Sequence, residues 1–343
     1  MSEAASGFDY RFYFERLQDA KRLQLPQDEV TWVERYEKPS KTYDVVLYLG
    51  CNILRTPHVA ADVVKVFEAL GVDFIPVGGV QFCCGVVWDN SGDVEPGKGV
   101  SQRTTERLTT YGASKVVMWC PSCSVHFDDI VIGRDERHTP FGITTATEFL
   151  SDLAERGAIP WKDEVRARAV LHTHVGDEHS RTGQLRARAD ARAASSLLKA
   201  VPGLELLDDA EAPPALGYDC GAASSVRLPR EEFLGIRRSL VSDARDRGAD
   251  TLVTISHACQ REWCDEADDD FQVRNYISLV ADALGIERRY AEPLAGFKNG
   301  MTEEEILDAS RDVWQSHGLT EPEARRLITK YAWDSRSPRL TAP

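Results

Sequence analysis

Five cysteines between residues 51 and 123 have the types and spacing of a metal or redox centre. Cys51 is followed by the adjacent pair Cys83 and Cys84, and then by Cys120 and Cys123, in the pattern C-x31-C-C-x35-C-x2-C. Neighbouring side chains of an extended chain point to opposite faces, so two adjacent thiols suit one ordinary packing site poorly. The C-x2-C of CPSC brings two sulfurs to one centre from a single turn, a spacing found in zinc and iron–sulfur sites.

The number of thiols distinguishes a zinc site from an iron–sulfur cluster. A tetrahedral zinc ion takes four ligands, so a fifth cysteine is surplus for a simple zinc site. A cluster of several irons has room for a fifth thiolate, which could bridge two of them. A thioredoxin-like redox pair and buried cysteines without a ligand are the other interpretations of these residues. Five cysteines at successive strand ends favour a metal centre.

Each group of cysteines comes just after a predicted strand. Apolar runs predict strands in YDVVLYLG, DFIPV and KVVMW, and helical spacing of apolar residues predicts a helix in TPHVAADVVKVFEALG. In an open, mostly parallel sheet the carboxyl ends of the strands form one edge, and ligands bind there. We therefore expect cysteines that are distant in sequence to meet at that edge.

The same order of elements recurs after a break near PWKDEVRAR. Strands are predicted in AVLHTH, LELLDD and DTLVTIS, and QVRNYISLVADALGI resembles the segment FGITTATEFLSDLAERGAI that closes the first half. The interval from Cys84 to Cys120 equals that from Cys220 to Ser256, and Cys123 corresponds in the same way to Cys259. A repeat of this kind predicts two tandem α/β units.

The predicted fold is α/β, with two tandem similar lobes, parallel sheets, and helical N- and C-terminal extensions. A chain of 343 residues is long enough for two domains. The predicted units are an N-terminal extension at 1–42, a first domain with the complete cysteine motif at 43–160, a degenerate second domain at 161–286, and a C-terminal helical extension at 287–343.

Composition narrows the class of protein. Hydrophobic residues make up 42% and charged residues 28%, with a mean hydropathy of −0.35, and no apolar run approaches the roughly 20 residues of a membrane-spanning helix. The opening residues lack a secretory signal pattern, so a cytoplasmic protein is expected. The net charge of −14 argues against nonspecific nucleic-acid binding. In a reducing compartment, eight cysteines fit metal binding or redox chemistry better than a disulfide framework.

Three short motifs resemble the CCG-domain, or cysteine-rich, family, whose type member is the B-type subunit of heterodisulfide reductase. They are GC at 50–51, CCG at 83–85 and CPSC at 120–123. The family carries the motif twice, and in that type member each copy holds a noncubane 4Fe-4S cluster bound by five cysteines. The resemblance implies that one such cluster is bound here by Cys51, Cys83, Cys84, Cys120 and Cys123.

The second copy departs from the family pattern. Only Cys220 and Cys259 remain of its five thiols, so a second cluster of the same type is not expected. A second metal bound by His174, Cys220, His257 and Cys259 is one interpretation. A role in handling protons or substrate between the lobes is another, and packed remnants of a lost site are the third.

The resemblance implies an iron–sulfur oxidoreductase subunit of the heterodisulfide reductase B type, working by electron transfer or by disulfide and thiol redox chemistry. No G-x-G-x-x-G fingerprint follows a strand, and no ferredoxin-type cysteine run is present. Electrons are therefore expected from a partner protein within a larger redox complex. The alternative from another class is a zinc-stabilised protein-interaction module without redox activity.

Overall fold

The computed structural model describes residues 7–172, 181–207, 229–289 and 292–331. In these ranges the first lobe contains the strands β1 (Val45–Gly50), β2 (Phe74–Gly78), β3 (Lys115–Met118) and β4 (Gly142–Thr145). The second lobe contains β5 (Ala167–His172), β6 (Leu204–Leu206), β7 (Thr251–Thr254) and β8 (Gln272–Asn275). The strands form two four-stranded sheets, ordered β2-β1-β3-β4 and β6-β5-β7-β8, in which every pairing is parallel.

Helices connect the strands and extend the chain at both ends. The first lobe has α2 (Pro57–Ala69), α3 (Val86–Asn90), α4 (Val94–Thr110), α5 (Pro121–His126) and α6 (Ala146–Glu155), and the second has α7 (Arg181–Lys199), α8 (Arg230–Asp246), α9 (His257–Trp263) and α10 (Tyr276–Ala283). Outside the lobes lie α1 (Tyr10–Lys21), α11 (Pro293–Lys298), α12 (Glu303–Ala309), α13 (Arg311–Ser316) and α14 (Glu321–Tyr331). The predicted α/β fold with two similar lobes and helical extensions is confirmed.

The apolar run that predicted the first strand forms the centre of the first sheet. All six residues of β1 are buried, as expected for a strand that has a neighbour on each side and helices on both faces. Strand order reverses between β1 and β3, because β2 lies on one side of β1 and the later strands lie on the other. In open parallel sheets such a reversal leaves a crevice at the carboxyl ends of the strands.

The two lobes pack together as a symmetric pair. The helix after the first strand of each lobe contacts the last helix of the other lobe, so α2 packs on α10 and α6 packs on α7. Trp119 of the first lobe stacks on Tyr276 of the second, with ring centroids 5.5 Å apart. One continuous apolar core includes buried residues of both lobes. The lobes therefore share an interior, as expected of repeats that bury surface against each other.

The terminal extensions pack on each other and on the first lobe. Leu23 joins the apolar core of the C-terminal helices, with Phe297 and Trp314. In α1, Tyr10 stacks on Trp88, with ring centroids 4.7 Å apart. In the described part of the chain, no helix combines the length and apolar character needed to cross a membrane.

A polar cavity of about 480 Å³ lies beside the contact between α2 and α10. Ser278 donates a hydrogen bond to Asp62 across this contact, with 2.6 Å between the oxygens. Glu292 accepts a hydrogen bond of 2.7 Å from Gln260, and its other carboxylate oxygen lies 3.6 Å from His58 Nε2. Burial raises the pKa of Glu292 to about 7. The cavity therefore contains a carboxyl group that holds its proton to unusually high pH.

We expect Glu292→Gln to weaken the dependence of stability on pH. Folded Glu292 keeps its proton until about pH 7, whereas the unfolded side chain loses it near its ordinary pKa of 4.5. The native state then binds more protons between these values, so the free energy of unfolding falls as pH rises through them. Glutamine removes this titration. Denaturant unfolding of the wild type, Glu292→Gln and the exposed-site control Glu231→Gln would test this, and an unchanged pH profile in Glu292→Gln would refute it.

Candidate functional site

The five predicted cysteines all lie at the carboxyl edge of the first sheet. Cys51 follows β1 and Cys120 follows its neighbour β3, so they flank the crevice where the strand order reverses. Cys123 lies in the first turn of α5, and the pair Cys83 and Cys84 follows the short 3-10 helix at the end of β2. All five side chains are buried. The sheet topology thus brings together cysteines up to 72 residues apart in the sequence.

The five thiols form one connected group. Cys51 Sγ donates a hydrogen bond to Cys83 Sγ at 3.6 Å. Cys83 also interacts with Cys84, Cys84 with Cys123, and Cys123 with Cys120. The sulfurs are in contact with one another, as thiols packed in a protein interior are. Among the described residues, no group of three or more His, Cys, Asp or Glu side chains is arranged to hold a metal ion.

Backbone N–H groups are directed at several of these sulfurs. Hydrogen bonds from the thiols of Cys51 and Cys84, followed by the N–H of Gly85, hold the pKa of Cys83 well below its ordinary value. The Cys123 thiol and the N–H groups at the start of α5 lower the pKa of Cys120. By contrast, the hydrogen bond that Cys51 donates to Cys83 and its burial raise the pKa of Cys51. Backbone donors of this kind stabilise thiolates, the form in which cysteine binds metals.

Two glycines in the cysteine motifs let the backbone pack closely against neighbouring groups. Gly50 has φ +77°, and a Cβ at this position would lie 3.1 Å from Cys123 Sγ. Gly85 has φ +100°, and a Cβ there would lie 2.9 Å from the carbonyl oxygen of Gly97. Both conformations are in the left-handed region that glycine adopts without steric cost. The GC and CCG motifs therefore specify backbone shape as well as sulfur positions.

Hydrogen bonds from two other elements hold the CCG turn in place. Tyr48 of β1 donates to the carbonyl oxygen of Phe82, and Thr104 of α4 donates to that of Cys83, each at 2.5 Å. Both donors are buried. The turn is therefore fixed by the sheet on one side and a helix on the other.

The sequence interpretation missed one histidine beside the cysteines. His126 is buried on α5, three residues after Cys123, and its Nε2 lies 3.6 Å from Asp89 Oδ2. A Cβ on Gly85 would be 3.4 Å from the same nitrogen. Burial lowers the pKa of His126. The signal was the helical spacing of three between the last cysteine of CPSC and this histidine.

The second lobe is less completely described at the corresponding edge. His257 and Cys259 lie on α9, just after β7, at the place that α5 occupies in the first lobe. Cys259 packs in the core of the second sheet beside Trp263. The side chain of His257 is not part of that core, and its burial lowers its pKa to about 3. His174 and Cys220 lie outside the described residues. A second metal site stays a prediction.

A cavity of about 320 Å³ between the lobes reaches the residues next to the cysteines. Its first-lobe wall includes Val86, which follows the CCG turn, and Ser122 of CPSC. Its second-lobe wall includes Ile255 and Ser256 at the end of β7. A small molecule in this cavity would contact residues that flank Cys84, Cys120 and Cys123 in the sequence.

Comparison with known families gives the class of protein. The cysteine-rich domain family, CCG, matches residues 45–128 and 185–262, one segment in each lobe. Each lobe therefore contains a segment that matches the cysteine-rich domain, CCG, and the resemblance that the three motifs predicted is confirmed. The second match includes the degenerate copy, so that segment is a diverged copy of the same domain.

Curated relatives are subunits of a reductase. The D-type subunit of dihydromethanophenazine:CoB–CoM heterodisulfide reductase from Methanosarcina mazei is 27% identical over 277 residues, which cover 77% of this chain and 64% of that protein. Its counterpart from Methanosarcina acetivorans is 26% identical over 274 residues, with coverages of 76% and 64%. The chain thus spans just under two thirds of the length of these relatives.

Solved structures resemble the chain only distantly. An aspartate racemase homologue from Pyrococcus horikoshii OT3 is 11% identical, covers 70% of this chain and 97% of its own, and has a TM-score of 0.30. The aspartate racemase of Picrophilus torridus is 8% identical, with coverages of 72% and 96% and a TM-score of 0.32. Scores this low say nothing about the function of this chain.

Proposed function

We propose that this chain is an iron–sulfur subunit of a heterodisulfide reductase-type oxidoreductase. In this proposal one noncubane 4Fe-4S cluster is held by Cys51, Cys83, Cys84, Cys120 and Cys123. The observation that carries the proposal is the connected group of five buried thiols at one sheet edge. The backbone donors to Cys83 and Cys120 also suit thiolate ligands. A single tetrahedral ion would leave one of these thiols without a role.

When bound, the cluster would supply one-electron redox chemistry and iron that can bind a substrate sulfur. The protein would set its potential through burial and through N–H groups that donate to the ligand sulfurs. Tyr48 and Thr104 would hold the CCG turn so that Cys83 and Cys84 keep their positions. Gly50 would leave space beside Cys123.

The substrate in this proposal is a disulfide or thiol that binds beside the cysteine group, and the 320 Å³ cavity between the lobes reaches residues that flank that group. Reducing a disulfide breaks one S–S bond and consumes two electrons and two protons to give two thiols. The electrons would come from a partner subunit, since the sequence lacks the dinucleotide fingerprint. The curated relatives, which are themselves reductase subunits, support a role within a larger complex.

A redox titration tests the proposed function. Anaerobically purified protein should have broad visible absorption that decreases on reduction with dithionite and returns when a disulfide is added as oxidant. Electron paramagnetic resonance should show a signal in one redox state. Protein that changes neither its absorption nor its resonance spectrum on reduction would refute the proposal and favour a zinc-stabilised interaction module.

A further inference from the structure

Three arginines from different parts of the chain converge beside Cys51. Arg16 lies on α1, Arg55 ends the 3-10 helix that follows Cys51, and Arg261 lies on α9 of the second lobe. Arg261 Nη1 donates a 3.0 Å hydrogen bond to the side chain of Asn52, which immediately follows Cys51. The arginines thus meet where the N-terminal extension and both lobes adjoin the cysteine group.

The packing around these arginines places Arg55 against an aromatic ring. The guanidinium carbon of Arg55 lies 5.6 Å from the ring centroid of Tyr13. Tyr13 Oη in turn accepts a 3.1 Å hydrogen bond from Asn52 Nδ2. Arg16 and Arg55 are each partly exposed, so a molecule in solution can reach them. One side of this arrangement therefore packs against the protein, and the other side is open to solvent.

The positive charge in this cluster exceeds the negative charge. Arg261 pairs with Glu262 at 2.9 Å, and that carboxylate also faces Lys298. Within the described ranges, Arg16 and Arg55 form no ion pair with a carboxylate, and the buried Nε of Arg55 has no hydrogen-bond partner. Burial, together with the charge of Arg55, lowers the pKa of Arg16 to about 9.

An excess of partly buried positive charge needs an explanation in a chain whose net charge is −14. Cations that are desolvated without a partner destabilise the folded state, and the mutual repulsion of these arginines adds to that cost. An anion between them would supply the missing partner. Guanidinium groups bind carboxylate, phosphate and sulfonate oxygens through paired hydrogen bonds.

We propose that Arg16, Arg55 and Arg261 form an oxyanion-binding site that holds an anionic group of the substrate next to Cys51. The assignment of the anion to a substrate rests on the proposed function. The binding of an oxyanion by these arginines does not. The site would select substrates that carry a carboxylate, phosphate or sulfonate at one end and would orient their other end toward the cysteines.

Calorimetry with inorganic phosphate, methanesulfonate and acetate tests the site at constant ionic strength. We expect the wild type to bind at least one of them saturably. Arg55→Gln and Arg261→Gln should each weaken that binding roughly tenfold or more, since each removes a charge-assisted hydrogen bond. The control Arg325→Gln, at a partly exposed arginine of α14, should bind like the wild type. The preferred anion indicates the substrate group.

A thermal shift separates this site from a purely structural cluster. An anion that binds only the native state raises the melting temperature, and this increase should be absent in Arg55→Gln. No saturable binding by the wild type, or equal binding by all the variants, would overturn the proposal. So would a change in cluster potential in Arg55→Gln without any anion binding. Iron and sulfide measured on the same samples test the proposed function separately. Protein that contains no iron but still binds the anion would support the oxyanion site and contradict only the proposed cluster.

Discussion

Cys83→Ser and Cys84→Ser are each expected to retain less than half of the iron and labile sulfide of the wild-type protein. Both side chains are fully or almost fully buried within the connected thiol group. A serine hydroxyl is a much poorer ligand for iron than a thiolate, so either change would remove one of the five proposed ligands. Metal and sulfide analysis of anaerobically purified variants measures the effect.

Cys264→Ser is the matched control for these variants. Cys264 is also buried, but it lies just after α9 and donates a 3.5 Å hydrogen bond to the carbonyl oxygen of Arg261. Serine can make the same bond, so this variant should keep the wild-type iron content. Normal iron in both Cys83→Ser and Cys84→Ser would refute the five-ligand assignment. A similar loss in Cys264→Ser would show only that buried serine disturbs the fold.

Gly50→Ala is expected to reduce the iron content of the purified protein by more than the strain in the backbone alone would cause. Its φ of +77° is unfavourable for alanine, and the new Cβ would lie 3.1 Å from Cys123 Sγ and 3.4 Å from Cys120 Cβ. A left-handed conformation costs a non-glycine residue roughly 1–2 kcal/mol. The new methyl group would also press against two proposed ligands and displace a sulfur atom, which adds to that cost. Iron content and melting temperature should both fall.

Gly92→Ala separates the two contributions. Gly92 has a similar φ of +86°, but a Cβ there would have no atom within 4 Å. This variant should lose roughly 1–2 kcal/mol of stability and keep its iron. Equal iron contents in Gly50→Ala and Gly92→Ala would contradict the claim that Gly50 makes room for the cysteines.

The sequence allowed the sheets and the meeting of the cysteines to be predicted because both depend on local patterns. The run VVLYLG predicted a strand buried on both faces, and a parallel sheet brings together the loops that follow its strands. The equal intervals from Cys84 to Cys120 and from Cys220 to Ser256 revealed the repeat. Strand ends and repeat spacing are thus properties that can be read along the chain.

Features that depend on contacts between distant segments could not be predicted in the same way. Arg16, Arg55 and Arg261 share no spacing, and they meet only because α1 and α9 both pack beside the residues after Cys51. The helix Val86–Asn90 is short and begins directly after a left-handed glycine, so no periodic pattern marked it. The pairing of α2 with α10 follows from how the lobes dock, which the repeat alone does not specify.

The most direct test of the central claim is the content of iron, labile sulfide and zinc in anaerobically purified protein. One cluster of the proposed type predicts about four irons and four sulfides per chain, with no stoichiometric zinc. The preparation should be brown. A colourless protein with one zinc per chain and no labile sulfide would contradict the proposal that these five cysteines hold an iron–sulfur cluster.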